Sequence, residues 1–324
     1  MSASILITGG TTGLGYQCAL VLAQQFPDHR IVLASRTNAK DAATSINRQL
    51  HQKNVEFIRL DLSSLSEVRK FVESWTGAQY PPIQYLLLNA GIQLPGPVEY
   101  TEDGYEKTFA VNHLGHVFLF SLLLPHFART ARIILTGSGT HDPAQRWLGV
   151  PDAEYITAEK LAHPSAESAE MENGRQRYST SKLVALMWAY ALERRLKQLR
   201  DTGEKDWTVA TMCPGMVPGT SLARGEAGIV RFMLAHVLPR CLPVLRLVLG
   251  RPNIYTIETA GSALAWVTSS REVVGISGKY YELKSEVKSS EASYEEAKQA
   301  ELWEWTVNHL ALSPEEAAQF SLTN

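Results

Sequence analysis

Thr8-Gly-Gly-Thr-Thr-Gly-Leu-Gly15 follows a short apolar run at 4–8 and opens an amphipathic stretch at 14–26. That order reads as strand, glycine turn, helix. Glycines at 9, 13 and 15 let the backbone turn tightly and come close to a pyrophosphate. The helix N-terminus then presents free N–H groups and a positive dipole end to the anion. A glycine run alone is a weak signal; its place between a strand and a helix is the required context. The candidate phosphate-facing residues are Gly9, Thr11, Thr12, Gly13, Leu14 and Gly15.

Outward from this loop, apolar runs alternate with amphipathic stretches. The pattern predicts strands at 30–34, 55–60, 84–88, 132–136, 207–212 and 279–283. It predicts helices at 39–51, after 61–67, at about 103–127, at 177–200 and near 253–268. Ser64 and Glu67 have capping-box spacing. Continuous apolar strands alternating with helices mean a parallel sheet covered on both faces. The expected fold is therefore α/β, a Rossmann-type doubly wound sheet forming a single domain over 1–324. Stretches 139–176 and 214–252 break the rhythm after strand carboxyl ends, where such sheets bind ligands. They read as substrate-side insertions, and 289–324 as a tail of one helix plus a short turn.

The chain has 324 residues, 45% hydrophobic and 20% charged, with a net charge of −2. Nothing in that balance argues for nucleic acid as the main partner. Cys18, Cys213 and Cys241 lie far apart, with no disulfide framework and no metal pattern, so no metal is expected. Residues 4–8 run straight into the glycine loop, leaving no room for a leader; a cytoplasmic location is the expectation. No apolar run reaches membrane-spanning length. The run 117–124 stops at Pro125, and 228–250 is broken by Arg231, His236, Pro239, Arg240, Pro243 and Arg246. The second reads as a lid over an apolar pocket, in preference to a membrane-surface segment.

In a dinucleotide fold the end of the second strand sorts the cofactors. A carboxylate there accepts from a ribose 2′-hydroxyl, whereas an arginine holds a 2′-phosphate. This strand ends Leu33-Ala-Ser-Arg36, with Lys40 nearby, which favours NADP (NADPH) through Ser35 and Arg36.

Tyr178-Ser-Thr-Ser-Lys182 places a phenol and an ammonium on one helix face. A free tyrosine, with a pKa of about 10, is a poor base at neutral pH, and a neighbouring cation favours its phenolate. Four further motifs accompany the pair: Leu88-Asn-Ala-Gly91, Val111-Asn-His-Leu-Gly-His116, Ser138 after the fifth strand, and Pro214-Gly215 after the sixth. Together with the glycine loop, over roughly residues 4–283, they resemble the short-chain dehydrogenase/reductase family. The branch they are most similar to contains retinol dehydrogenases and light-dependent protochlorophyllide reductases.

The resemblance implies a hydride-transferring oxidoreductase interconverting a ketone or aldehyde and an alcohol. Its catalytic residues would be Asn112, Ser138, Tyr178 and Lys182, with Tyr178 as general acid and base. It also implies cofactor contacts at Asp61 and Leu62, at Asn89, Ala90 and Gly91, at Tyr178 and Lys182, and from Pro214 and Gly215 through Val217. Asn112 would organise a water leading to the lysine. Homo-oligomers built on the two long helices are a further implication. Two departures stand out: Ser138 and Tyr178 are forty positions apart, and the threonine after Pro-Gly is displaced to Thr220, which puts its carboxamide contact in doubt.

Rival readings remain open. A C=C reductase would use the same site, and a non-catalytic NADP(H) sensor or interaction protein would use the same fold. Ser138, His141 and Asp142 hint at a hydrolase but lack the G-x-S-x-G strand–turn–helix. His113 and His116 have i, i+3 spacing without a carboxylate or cysteine cluster, so packing is preferred to metal. Ile229, Val230, Phe232, Met233, Leu234, Val237 and Leu238 suggest a bulky apolar substrate, though they could equally be core.

Overall fold

The computed structural model describes residues 1–145, 149–171, 173–220 and 253–322. The expected lid at 228–250, with its apolar residues, and Trp147 and Cys241 lie outside the described residues. Eight strands form one sheet: β1 (Ser4–Thr8), β2 (Arg30–Ser35), β3 (Val55–Arg59), β4 (Ile83–Leu88), β5 (Phe127–Thr136), β6 (Asp206–Cys213), β7 (Lys279–Glu282) and β8 (Ser285–Glu286). Their order is β3-β2-β1-β4-β5-β6-β7-β8. Every pairing from β3 to β7 is parallel, and β8 adds an antiparallel edge that no sequence pattern announced. Leu6 of β1 sits between Val32 of β2 and Leu86 of β4. The chain order reverses at β1/β4, and the crevice outside those strand ends is where such sheets bind ligands.

One face is covered by α1 (Gly13–Gln25), α2 (Ala42–Leu50) and α8 (Ile257–Ser269). The other carries α3 (Leu65–Gly77), α4 (Lys107–His126), α7 (Gly174–Asp201), α9 (Glu296–Leu310) and α10 (Pro314–Ser321). The insertion after β5 holds two short helices, α5 (Ala158–Ala162) and α6 (Ala166–Met171). Ser64 caps α3 by accepting from the Glu67 N–H at 3.4 Å. The Glu67 carboxylate does not complete the box; it pairs with Lys70 and Arg59.

Several boundaries shift for physical reasons. α4 starts at Lys107, not 103, because the Glu106 side chain accepts from the Phe109 N–H at 2.6 Å and so caps the helix there. Within α4, Ala110–Leu114 is a π-helical turn. β5 starts five residues earlier than expected, since Thr130 and Ala131 pair with Asp206 and Trp207 of β6. The expected turn at 313–317 is helix α10, with Ser313 accepting from the Glu316 N–H and Pro314 at its first position.

Among the described residues Lys107–His126 is long and apolar enough to cross a membrane, with mean hydropathy 1.3. This departs from the expectation that no stretch reaches that length. Its most apolar window is 89% buried, so its side chains serve the core.

The tail is held tightly. α9 lies along α7, where Trp303 stacks on Trp188 with centroids 6.0 Å apart and takes Arg195 over its ring at 3.8 Å. α10 reaches α4 and α3: Phe320 meets Phe118 edge-on at 6.1 Å, and Arg69 makes two 2.8 Å bonds to Glu316. Trp303 is 3% exposed, so Trp303→Ala should cost about 3–5 kcal/mol, the range for large aromatic deletions in cores. Urea denaturation checks this; a loss below about 1 kcal/mol would show that the tail contributes little to the fold.

Candidate functional site

The residues singled out in sequence converge at the carboxyl ends of β1, β4, β5 and β6. Gly9 adopts φ +67°, open to glycine at little cost. A β-carbon on Gly15 would stand 2.4 Å from the Gly9 carbonyl oxygen, so only glycine lets α1 start this close to the strand end. Thr12 is the N-cap residue of α1, yet its side chain makes no capping bond, and the first turn holds no acidic residue. A helix start that is uncapped, glycine-lined and free of negative charge suits a bound diphosphate. The residues present fit a dinucleotide on these grounds.

Thr8 organises the neighbouring strand end. Its hydroxyl oxygen accepts from the Asn89 and Ala90 N–H groups at 2.9 and 3.0 Å. It also meets His116 Nε2 at 2.9 Å. Asn89 Nδ2 donates to the Thr8 carbonyl, and its Oδ1 accepts from Thr136. At the end of β2, Ser35 is half-buried and Arg36 exposed, with no ion pair or hydrogen bond from the guanidinium among the described residues. Asp61 Oδ1 accepts from the Ser63 N–H and hydroxyl, and Leu62 is buried.

Asn112 sits in the π-helical turn of α4, which widens the helix where the side chain turns inward. Its Oδ1 accepts from the Ile92 N–H at 2.8 Å, and its Nδ2 donates to the Ile92 carbonyl at 3.0 Å and to Ser181 Oγ at 2.9 Å. A β-carbon on Gly91 would lie 3.4 Å from Asn112 Oδ1 and 3.5 Å from Lys182 Nζ, which places both polar groups against that glycine. Lys182 donates to the Thr136 carbonyl at 3.0 Å, and its Nζ stands 5.6 Å from the Tyr178 ring centroid. Asn112, His116, Thr136 and Lys182 share the lining of a small cavity. The Tyr178 phenol faces the Ser138 hydroxyl closely enough for that hydroxyl to lower its pKa. The long gap between these two loops out through α5 and α6 and returns.

Burial dominates the electrostatics. It pushes Tyr178 up to about 12, against the neighbouring Ser138 hydroxyl, which lowers it. It pushes Lys182 down to about 8. The sequence suggests that Lys182 lowers the tyrosine; in the protein alone, loss of phenolate hydration outweighs any such help. The phenol therefore stands protonated at neutral pH.

Other expectations are resolved by the packing. His141 Nδ1 faces the Ser138 carbonyl, not its hydroxyl, so it cannot take a proton from that serine. His113 bonds Thr306 and His116 bonds Thr8; burial pushes both down to about 3, and both are neutral. Trp188 is core. Pro214 and Val217 are half-buried, and Gly215 has φ +70°. The methyl of Thr220 lies 3.9 Å from where a Gly13 β-carbon would be, beside the glycine loop. Sequence reasoning missed Thr8, His116, the Ile92 backbone and Cys213, whose buried thiol ends β6 beside Tyr178 and Lys182. Thr8 and His116 stand inside the sequence motifs, but no spacing rule gives the bonds that any of the four makes here.

Comparison with known proteins shows the family. The family described as short chain dehydrogenase matches residues 3–148. Polyprenol dehydrogenase of Danio rerio is 30% identical over 306 residues, covering 92% of this chain and 83% of that protein. The chain belongs to the short-chain dehydrogenase/reductase family. The chloroplastic protochlorophyllide reductase of Daucus carota is 30% identical over 243 residues, covering 70% of this chain and 59% of that enzyme. The likeness to the protochlorophyllide reductase branch thus holds. Among solved structures, 3-ketoacyl-(acyl-carrier-protein) reductase from Brucella melitensis, complexed with NADH, matches with a TM-score of 0.57 at 18% identity. The match covers 86% of this chain and 95% of that one and supports the fold.

The depressed Lys182 pKa has a consequence for stability. Between pH 8 and 10.5 the unfolded lysine holds a proton that the folded one has released. Stability must therefore rise with pH across that window. Relative to Lys182→Met, the wild type should gain on the order of 3 kcal/mol between pH 7 and 11, measured by urea denaturation at each pH. A flat difference would show that Lys182 is solvated in the folded protein.

Proposed function

We propose that this protein is an NADPH-dependent reductase of ketones or aldehydes on a bulky apolar compound, the reverse oxidation being open to it. The observation that carries the reading is the buried, protonated Tyr178, facing Ser138 and flanked by Lys182, which bonds the Thr136 carbonyl at the end of β5. When bound, the nicotinamide supplies the hydride chemistry. The start of α1 and the loop from Gly9 to Gly15 hold the diphosphate. Arg36, whose guanidinium has no partner among the described residues, holds the 2′-phosphate, with Ser35 beside it. Ser138 and Tyr178 donate to the substrate oxygen and stabilise charge developing there. Tyr178 then gives up its proton as general acid. Lys182 holds the ribose hydroxyls, and Asn112 keeps the Ile92 backbone and the nearby cavity in place for proton return. The apolar residues of 229–238 and the similarity to a polyprenol dehydrogenase support an apolar substrate.

The test follows loss of NADPH absorbance across a panel of bulky and small carbonyls. Turnover should favour bulky apolar compounds, and Tyr178→Phe should lower kcat by about 10²–10⁴-fold, the usual worth of a general acid. Unchanged turnover in that variant would remove Tyr178 from the chemistry. NADPH binding without turnover of any carbonyl would move a C=C reductase or a sensor ahead. Arg36→Leu should reduce kcat/KM for NADPH by about 10–100-fold, the value of a charge-assisted bond, and leave NADH nearly unchanged. Equal loss with both cofactors would show that Arg36 does not read the phosphate.

A further inference from the structure

We infer that His141 is a positioning residue for Ser138 and that the C-terminal segment 289–299 belongs to the active-site scaffold through it. The inference rests on the reading of Ser138 given above. His141 is fully buried. Its Nε2 faces the Ser290 backbone N–H at 3.1 Å. An amide nitrogen only donates, so Nε2 carries the lone pair and Nδ1 the proton. Nδ1–H then donates to the Ser138 carbonyl at 2.7 Å, and the His141 backbone N–H donates to the same oxygen at 3.3 Å. The edge of Tyr280 closes one side of the ring, with centroids 5.1 Å apart.

The chain of bonds continues past Ser290. Its carbonyl accepts from the Ser293 hydroxyl at 2.6 Å, and the Ser293 carbonyl accepts from Gln299 Nε2 at 2.6 Å. Gln299 Oε1 accepts from Arg194 at 2.5 Å. Arg194 lies on α7, the helix that carries Tyr178. Ser290, Ser293 and Gln299 are all buried. The backbone of Ser138 is thus tied to the tyrosine's own helix by a second route, through the tail.

That route matters because Ser138 and Tyr178 must meet one substrate oxygen together. A misplacement of about 1 Å in such a pair costs about a hundredfold in rate. Ser138 lies one residue past the last rung of the ladder, the Gly137 N–H to the Met212 carbonyl at 2.8 Å, so no strand pairing reaches its own carbonyl. His141 supplies the missing restraint on its carbonyl. It does so as a neutral ring, one nitrogen donating and the other accepting.

The experiment is a double-mutant cycle with the carbonyl of the panel that turns over best. His141→Leu should lower kcat by about 10–100-fold, as expected for lost alignment, and leave the KM for NADPH within about twofold. His141→Asn, whose amide nitrogen overlays Nδ1, should recover most of that loss. On a Ser138→Ala background His141→Leu should add less than about twofold, because residues that act through one another are not additive. Thermal unfolding of each variant checks that it is folded, and His141→Asn keeps the test valid if His141→Leu is not. Equal losses on both backgrounds, or no recovery in His141→Asn, would overturn the inference and leave the reductase reading standing. Ser138→Ala without effect would overturn the reading of Ser138 and this inference with it.

Discussion

The hydroxyl of Thr8 is the point on which the rest of the site depends. It sits at the carboxyl end of β1, where the sheet order reverses. Fully buried, it joins four backbone and side-chain groups: the amides of Asn89 and Ala90, the Leu87 carbonyl at 3.2 Å and His116. A parallel sheet has no ladder partners left beyond its strand ends, so the loops there need side chains to satisfy them. One hydroxyl holds the β4 loop against the glycine turn and reaches the helix that carries Asn112. Replacing it with an apolar group would leave the part-buried Asn89 and Ala90 amides without this partner.

The second constraint is dielectric. Tyr178 and Lys182 are both almost fully buried, and water cannot stabilise either charged form. The low dielectric raises the phenol and depresses the ammonium, so the pair is more nearly neutral than its chemistry in water suggests. On the proposed reading of Tyr178, a phenol that keeps its proton at neutral pH suits reduction. The carbonyl of Thr136 gives the lysine a fixed acceptor, which orients it without supplying a full counter-charge.

The third is the tail, which spans the insertion and the long helices. Glu301 of α9 accepts from the Ala158 N–H at 3.1 Å and from the Tyr155 hydroxyl. Trp305 donates to Glu159 at 2.8 Å, and Thr306 bonds His113. The forty-residue separation of Ser138 and Tyr178 is tolerable because α9 anchors the excursion. The geometry between the two side chains is then set by packing, and loop length becomes unimportant.

The sequence by itself determined the alternation of strands and helices and the glycine loop, and it put forward Ser138, Tyr178, Lys182 and Asn112 as candidates, which the fold brings to the same strand ends. Each of these leaves a local mark: a continuous apolar run or a period of 3.6, a glycine where the backbone must turn, or a motif after a strand. Only the tertiary structure decided that Thr8 and His116 meet, that a π-helical turn aims Asn112 at Ile92, and that His141 bridges Ser138 to Ser290. It also turned the expected 313–317 turn into a helix and added β8. These features rest on bonds between residues as much as 149 positions apart, many to backbone atoms that every residue possesses. A carbonyl that any side chain could carry leaves no trace in the residue beside it, so such bonds become visible only when the chain is folded.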